Sequence, residues 1–196
     1  MSQIQPTVDI QTARLNVDDY KKNFSDMHPP LGTTAALVEA DRCYFCYDAP
    51  CTTSCPTGID VAGFIRMIST ENNIGAARLI LEENILGGSC ARVCPTETLC
   101  EQACVRNDQD HRPVSIGLLQ RHAVDAAIAA DKQFFERATD TGKRVAIVGA
   151  GPASLSCAHG LARNGHSVTI LEARDKSGGL NEYGLAAYKM LDDFAS

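Results

Sequence analysis

The stretch Cys43-Tyr-Phe-Cys46-Tyr-Asp-Ala-Pro-Cys51-Thr-Thr-Ser-Cys55-Pro56 decides how this chain is read, and Cys90-Ala-Arg-Val-Cys94-Pro95-x4-Cys100-x3-Cys104 answers it further on. Eight thiols in two groups of four, two of them followed by proline, suit paired iron–sulfur clusters better than any other use of cysteine. In bacterial ferredoxin spacing the cysteine before proline ligates the other cluster, so Cys55 is expected to cross to the second group. Cys43, Cys46 and Cys51 then hold three irons of the first cluster, while Cys94, Cys100 and Cys104 complete the second with Cys55. Cys90 is either spare or the missing fourth ligand, and spacing leaves both open. The alternative is a pair of four-cysteine zinc sites. Zinc prefers C-x2-4-C knuckles separated by a longer spacer, and the intervals here are packed more tightly than that.

Composition sets the surroundings of those thiols. The chain has 196 residues, 44% hydrophobic and 21% charged, without tryptophan. That is one domain and part of another at roughly 100–200 residues per domain. A net charge of -6 gives no long-range attraction to nucleic acid or an anionic membrane. Met1 to Phe24 is polar, of mixed charge, and lacks the apolar core of a secretory leader. No stretch approaches the roughly 18 apolar residues of a membrane span. A cytoplasmic location is expected, where thiols stay reduced and clustered cysteines read as metal ligands rather than disulfides.

Periodicity divides the chain. Residues 1–32 read as an extended, partly ordered arm ending in Pro29-Pro30-Leu31-Gly32. Residues 33–135 read as a helical domain. Its first helix is capped by Thr33 or Thr34 and carries Ala36, Leu37 and Ala40. Asp60 caps a second, with Val61, Phe64, Ile65 and Ile68 on one face. A third runs from about Ile74 to Leu86, burying Ala77, Leu81 and Ile85 until Gly87-Gly88 stops it. A fourth opens at Pro113 and Ser115 and reaches Asp131, with Ile116, Leu119, Ala123, Ala126 and Ala130 inward. Residues 136–142 form a linker, and 143–196 begin an α/β unit.

In that unit Arg144-Val-Ala-Ile-Val148 is a short buried strand by composition, and Gly149-Ala-Gly151-Pro152-Ala153-Ser154 is the turn into a helix ending near Arg163. A second strand, Ser167-Val-Thr-Ile-Leu171, closes with Glu172. Strand, glycine turn, helix and a downstream acid are the contexts that make a dinucleotide fingerprint credible. Gly149 permits the tight turn, and Gly151 lets the backbone approach a pyrophosphate at the helix N-terminus. Ser154 stands where Gly or Ala is usual, Glu172 is placed for ribose hydroxyls, and Gly178-Gly179 suits a second close approach to a cofactor. An ordinary βα turn is the alternative. Cys157 reads as a small buried side chain, and the five histidines show no ligand spacing. No nucleophile–base pair is visible, which argues against hydrolysis.

The order of cysteine-rich helices, linker and glycine turn resembles the flavin- and cluster-bearing electron-input module of bacterial NAD-dependent dihydropyrimidine dehydrogenase and of glutamate synthase, where it is the β subunit. The resemblance runs from about Glu39 to Gly184. It rests on Glu39-Ala-x-Arg42-Cys43, Asp48-Ala-Pro-Cys51, Cys55-Pro-Thr-Gly-Ile-Asp60, Cys90-Ala-Arg-Val-Cys94-Pro95 and Ile116-Gly-x-x-Gln120. It implies an α-helical ferredoxin-like domain with two 4Fe–4S clusters, followed by the first part of a Rossmann-type FAD-binding domain. It also implies that Gln120 is a ligand, which groups Cys43, Cys46, Cys51 and Gln120 on one cluster and Cys55, Cys94, Cys100 and Cys104 on the other, with Cys90 a bystander. Glutamine at this position, where glutamate synthases have glutamate, favours the pyrimidine enzyme.

The implied activity is electron relay from NAD(P)H through FAD and both clusters to a partner subunit or domain carrying a second flavin, which reduces uracil or thymine. A glutamate synthase β subunit is the alternative within the same chemistry, and a zinc-stabilised interaction module the alternative outside it. The family continues with a nicotinamide-binding domain, and its flavin segment usually continues in Gly-Ile-Pro where Gly184-Leu-Ala stands here. A chain ending at Ser196 is therefore expected to be truncated, to assemble clusters, to bind FAD weakly or not at all, and not to oxidise NADH alone. Two parallel strands cannot bury both their faces, so residues 143–196 are expected to be poorly ordered or to borrow contacts from neighbours.

Overall fold

The computed structural model describes residues 15–191 and 194; the first fourteen residues of the expected arm lie outside it. The helical part comprises α1 (Val17–Asn23), α2 (Thr33–Ala40), α3 (Pro50–Thr53), α4 (Val61–Ser69), α5 (Asn73–Glu83), α6 (Gly87–Val93), a 3-10 turn (Thr96–Thr98), α7 (Arg106–Asp110) and α8 (Ile116–Ala129). It is followed by β1 (Arg144–Val148), α9 (Pro152–Arg163), β2 (Ser167–Leu171) and the short α10 (Leu180–Tyr183).

Side-chain caps set several helix starts. Asn16 accepts from the Asp19 N–H, Asp60 from the Gly63 N–H at 2.9 Å, and Asn72 from the Gly75 N–H at 2.9 Å. The apolar stripe expected on α4 is buried in full: Val61, Phe64, Ile65 and Ile68. It meets Ala36 and Ala40 of α2, Ala76, Ala77 and Ile80 of α5, and Leu119, Ala123 and Ala127 of α8 in one core. The cysteine segments are the connections between these helices.

Several sequence expectations are corrected. Gly32, not Thr33 or Thr34, occupies the cap of α2, and the arm contains α1 rather than being extended throughout. Helix α5 ends at Glu83, three residues early, and buries Ala76, Ala77 and Ile80, while Leu81 and Ile85 are only half-buried. Gly87-Gly88 starts α6 instead of merely stopping α5. The reason is close packing. A Cβ on Gly87 would stand 2.6 Å from Ile80 Cγ2, and one on Gly88 3.2 Å from Val124 Cγ1. At the far end of α8, Ala126 is half-buried and Ala130 exposed, because the chain leaves the core there.

β1 and β2 pair in parallel from Arg144 opposite Ser167 to Val148 opposite Leu171. Val148 is 84% exposed, and α9 packs against both strands, so this small sheet lacks the double cover of a larger one. Helix α9 has no buried residue, and Cys157 on it is exposed rather than buried as expected. The end of the helical domain supplies part of the cover: the Phe135 ring packs edge-on to His159, and Arg163 lies over it at 4.3 Å. Beyond α10 the chain returns to the helical part. The Met27 N–H donates to the Tyr188 carbonyl at 2.9 Å, and the Arg92 guanidinium sits 3.7 Å over the Phe194 ring. Among the described residues no helix is long and apolar enough to cross a membrane.

Candidate metal centres and dinucleotide turn

The cysteine segments meet around two separate cavities. Cys43, Cys46, Cys51 and Cys104 line the first, with Ala49, Pro50 and Arg106. Cys55, Cys90, Cys94, Cys100 and Gln120 line the second, with Pro56, Ile59 and Ile116. The crossing is therefore double. Cys55 leaves its own segment for the second group, as the ferredoxin pattern implies, and Cys104 leaves its segment for the first. Gln120 lies with Cys55, Cys94 and Cys100, not with Cys43, Cys46 and Cys51. The cavity linings thus differ from the grouping taken from the resemblance in the places of Gln120 and Cys104. The physical reason is that α8 packs against α6, whose end carries Cys90 and Cys94, while Cys104 leads into α7 and delivers Arg106 to the first cavity.

Both segments are held by polar contacts that spacing did not reveal. The buried Glu39 carboxylate accepts from the Ser115 N–H at 2.8 Å, and Glu101 accepts from the Gly117 N–H at 2.9 Å. Two acids thus cap the N-terminus of α8, where the helix dipole favours them. Arg42, next to Cys43, binds Glu39 Oε1 at 2.6 Å and the carbonyls of Pro113 and Arg112, fixing the first segment to the start of α8. One turn further, Gln120 Nε2 donates to the Gly87 carbonyl at 2.8 Å. That bond identifies the other terminus as the oxygen, the only atom of the amide with a lone pair to give a metal. Beyond Gln120, the buried Arg121 pairs with Asp26 at 2.7 Å and Asp125 at 3.2 Å, tying the arm to α8. The sequence signal for this framework was charge on an otherwise apolar face, such as Glu39 beside Ala36 and Ala40.

The thiols crowd one another. Burial pushes Cys51 up to about 11, with Cys43 and Cys104 adding to it. Burial and the neighbouring Cys90 and Cys55 push Cys94 up to about 12, and burial, the Glu101 carboxylate and Cys94 push Cys100 up to about 12. At Cys55 burial acts the same way. Bonds from the Thr57 hydroxyl and the backbone of Ile59, Thr57 and Gly58 outweigh it and hold this thiol below its usual value. A cationic centre that takes all these sulfurs as thiolates displaces their protons.

A cluster and a single ion ask different arrangements of their donors. Tetrahedral zinc with sulfurs at about 2.3 Å needs them about 3.8 Å from each other. Among the described residues no three His, Cys, Asp or Glu side chains converge to hold one metal ion. A cubane instead needs donors spread around a space, and the second group surrounds a largely apolar cavity of about 240 Å³. The first cavity is tighter, about 20 Å³, so a cluster there would need the Cys43–Cys51 loop to move outward. That loop turns through Phe45 and Ala49, both with positive φ, a conformation seen where function holds the backbone. Arg106 Nε, at the same cavity, is buried without a hydrogen-bond partner. A sulfide or thiolate acceptor in that cavity would satisfy it. The residues fit iron–sulfur clusters at both places.

The glycine turn is built as its residues require. Gly149 has φ +89° and donates to the Leu171 carbonyl at 2.7 Å. Gly151 caps α9, Pro152 fills the first helical position, and Ala153 and Ser154 continue the first turn. A Cβ on Gly151 would meet nothing within 4 Å, leaving the approach to the helix N-terminus open. Glu172 accepts from the Ala150 N–H at 2.6 Å and the Arg174 N–H at 2.9 Å, and these bonds hold its carboxyl below the usual range. Gly178 donates to the Ala150 carbonyl at 2.8 Å, and a Cβ on Gly179 would stand 2.7 Å from Gly151 Cα. Glu172 and Gly179 share an open cavity with Arg174 and Tyr183. Gly179→Ala is thus expected to loosen the turn by about 1–3 kcal/mol, whereas Gly151→Ala costs less than about 1 kcal/mol. Hydrogen exchange of the β1 amides distinguishes them; equal protection in both variants contradicts the packing described.

Residues 20–132 match the family described as dihydropyrimidine dehydrogenase domain II, 4Fe-4S cluster, and residues 147–182 match an NAD(P)-binding Rossmann-like domain. The NAD-dependent dihydropyrimidine dehydrogenase subunit PreT of Escherichia coli (strain K12) is 40% identical over 171 residues, 87% of this chain and 41% of its own. PreT of Salmonella typhimurium shows the same identity over the same shares. The putative oxidoreductase AegA of Escherichia coli (strain K12) is 35% identical over 179 residues, 90% of this chain and 27% of its own. The chain thus spans less than half the length of these curated relatives. With its cysteine framework folded around two cavities, and with the match covering more than half its length, the chain belongs to the dihydropyrimidine dehydrogenase domain II, 4Fe-4S family.

Proposed function

We propose that this chain is the electron-transfer module of a flavin- and iron–sulfur-dependent oxidoreductase that reduces pyrimidines, uracil or thymine, at a partner active site. In this reading Cys43, Cys46, Cys51 and Cys104 hold one 4Fe–4S cluster, and Cys55, Cys94, Cys100 and Gln120 hold the other. The observation that carries it is the division of the donors into two cavities, one all-thiol and one with a buried amide. Residues 33–135 form the α-helical ferredoxin-like domain, 136–142 the linker, and 143–196 the first part of a Rossmann-type unit. There Gly149, Gly151, Pro152, Ala153 and Ser154 bind the FAD pyrophosphate, with Glu172, Gly178 and Gly179 bordering the nucleotide. The chemistry supplied when these groups are bound is hydride acceptance from NAD(P)H by FAD and one-electron transfer through the clusters to a partner subunit bearing a second flavin.

The chain's own residues set the conditions for that transfer. Gln120 contributes a neutral oxygen where the other site has a fourth thiolate, so its cluster carries one negative charge fewer and is easier to reduce. Arg106 acts on the all-thiol site in the same direction, as a cation with an unpartnered N–H at the cavity. Ile59, Ile116 and Leu99 exclude water from the second cavity. The reduced thiols this chemistry requires fit the cytoplasm.

Reoxidation tests the function. Dithionite-reduced protein, mixed anaerobically with a flavin-containing pyrimidine reductase, is expected to reoxidise when uracil or thymine is added and not with 2-oxoglutarate and glutamine. The reverse dependence assigns the module to glutamate synthesis and overturns the pyrimidine reading.

A further inference from the structure

The second cavity holds one donor more than a cubane uses. Cys55, Cys94, Cys100 and Gln120 are four, and Cys90 is a fifth in the same lining. Its place follows from helix geometry. Cys90 lies in α6 and Cys94, four residues on, caps its end with its N–H bonded to the Cys90 carbonyl, so the two fall on one side of the helix. Gly87, whose carbonyl anchors Gln120 Nε2, lies three residues before Cys90 and so on that same side. The amide is therefore docked on the turn preceding Cys90, and Cys90 shares its cavity lining with Gln120 and Cys94. Among the described residues every other cysteine of the two segments has a place in one of the two four-donor sets.

We propose that Cys90 is a second binding group for the iron otherwise bound by Gln120, so that this site holds its cluster in two ligation states, amide-bound and thiolate-bound. The inference rests on the cluster reading above. In passing from the first state to the second, Cys90 gives its proton to solvent and forms an Fe–S bond. The bond to Gln120 Oε1 breaks, and no electron moves. Gln120 stays anchored through Nε2 to Gly87 in either state, ready to return. The thiolate adds a negative charge and favours the oxidised cluster, whereas the neutral amide favours the reduced one. Ligation and redox state are thereby linked, each biasing the other by the same free energy.

Iron content and midpoint potential of four anaerobically purified forms test this. Wild type and Gln120→Ala are both expected to hold about eight irons, the latter because Cys90 takes the vacated corner, with the potential of that cluster lowered. Cys90→Ser also holds about eight irons, with the potential raised or unchanged, since only the amide remains. Gln120→Ala combined with Cys90→Ser is expected to hold about four. Circular dichroism of each form establishes that the helices are retained. If Gln120→Ala alone loses as much iron as the double variant, Cys90 is no ligand and the proposal fails. A wild-type protein without iron fails the cluster reading instead, and the two failures are thus distinct.

Discussion

Replacing Cys104 with serine is expected to halve the iron content, from about eight atoms per chain to about four. The loss falls on the cluster bound by Cys43, Cys46 and Cys51. Removing one thiolate from a four-ligand set leaves a cubane corner open, and serine oxygen is a poor substitute for sulfur on iron. The informative partner is Cys100→Ser, which is also expected to leave about four irons. Because Cys104 and Cys100 line different cavities, the losses add, and the double variant is expected to be nearly iron-free. If both cysteines served one cluster, as the resemblance grouped them, the double variant would keep the same iron as either single one. Iron and sulfide assays on the three variants separate these outcomes without any assay of activity.

The largest effect on the fold itself is expected from Phe64→Ala. Phe64 is fully buried on α4, in the core shared with α2, α5 and α8. Truncating it removes the transfer energy of the ring and leaves a cavity, about 3–5 kcal/mol in all. That is a large part of the roughly 5–15 kcal/mol that stabilises a domain. The same helices carry the cysteine segments, so cluster retention falls with stability. Val38→Ala on the exposed face of α2 is the matched control, with a change within about 0.5 kcal/mol. Anaerobic urea unfolding followed by helical circular dichroism measures both, and equal midpoints would contradict the core described.

What could be read from the chain depended on the kind of signal. Helix α4 was legible because Val61, Phe64, Ile65 and Ile68 repeat at helical spacing behind a capping Asp60. The boundaries of β1 and β2, Arg144–Val148 and Ser167–Leu171, were legible because β-branched runs stop at glycine and polar residues. Helix α6 was missed. Gly87-Gly88 has the composition of a stop, and only the proximity of Ile80 and Val124 shows that the missing Cβ atoms serve packing. The crossing of Cys55 was legible from its proline, but the matching crossing of Cys104 has no local mark and depends on where α7 leads. Glu39, Arg42, Glu101 and Arg106 act across 16 to 76 residues of sequence or at a cavity wall, beyond the reach of periodicity. Cys157 was misread because its surroundings on α9 depend on cover that two strands do not provide.

The most direct test is the metal and sulfide content of the anaerobically purified chain, read together with its visible spectrum. Two cubanes require about eight irons and eight acid-labile sulfides per chain, with a broad absorption near 400 nm that dithionite bleaches. A colourless protein carrying about two zinc ions and no sulfide would contradict the assignment of both cavities.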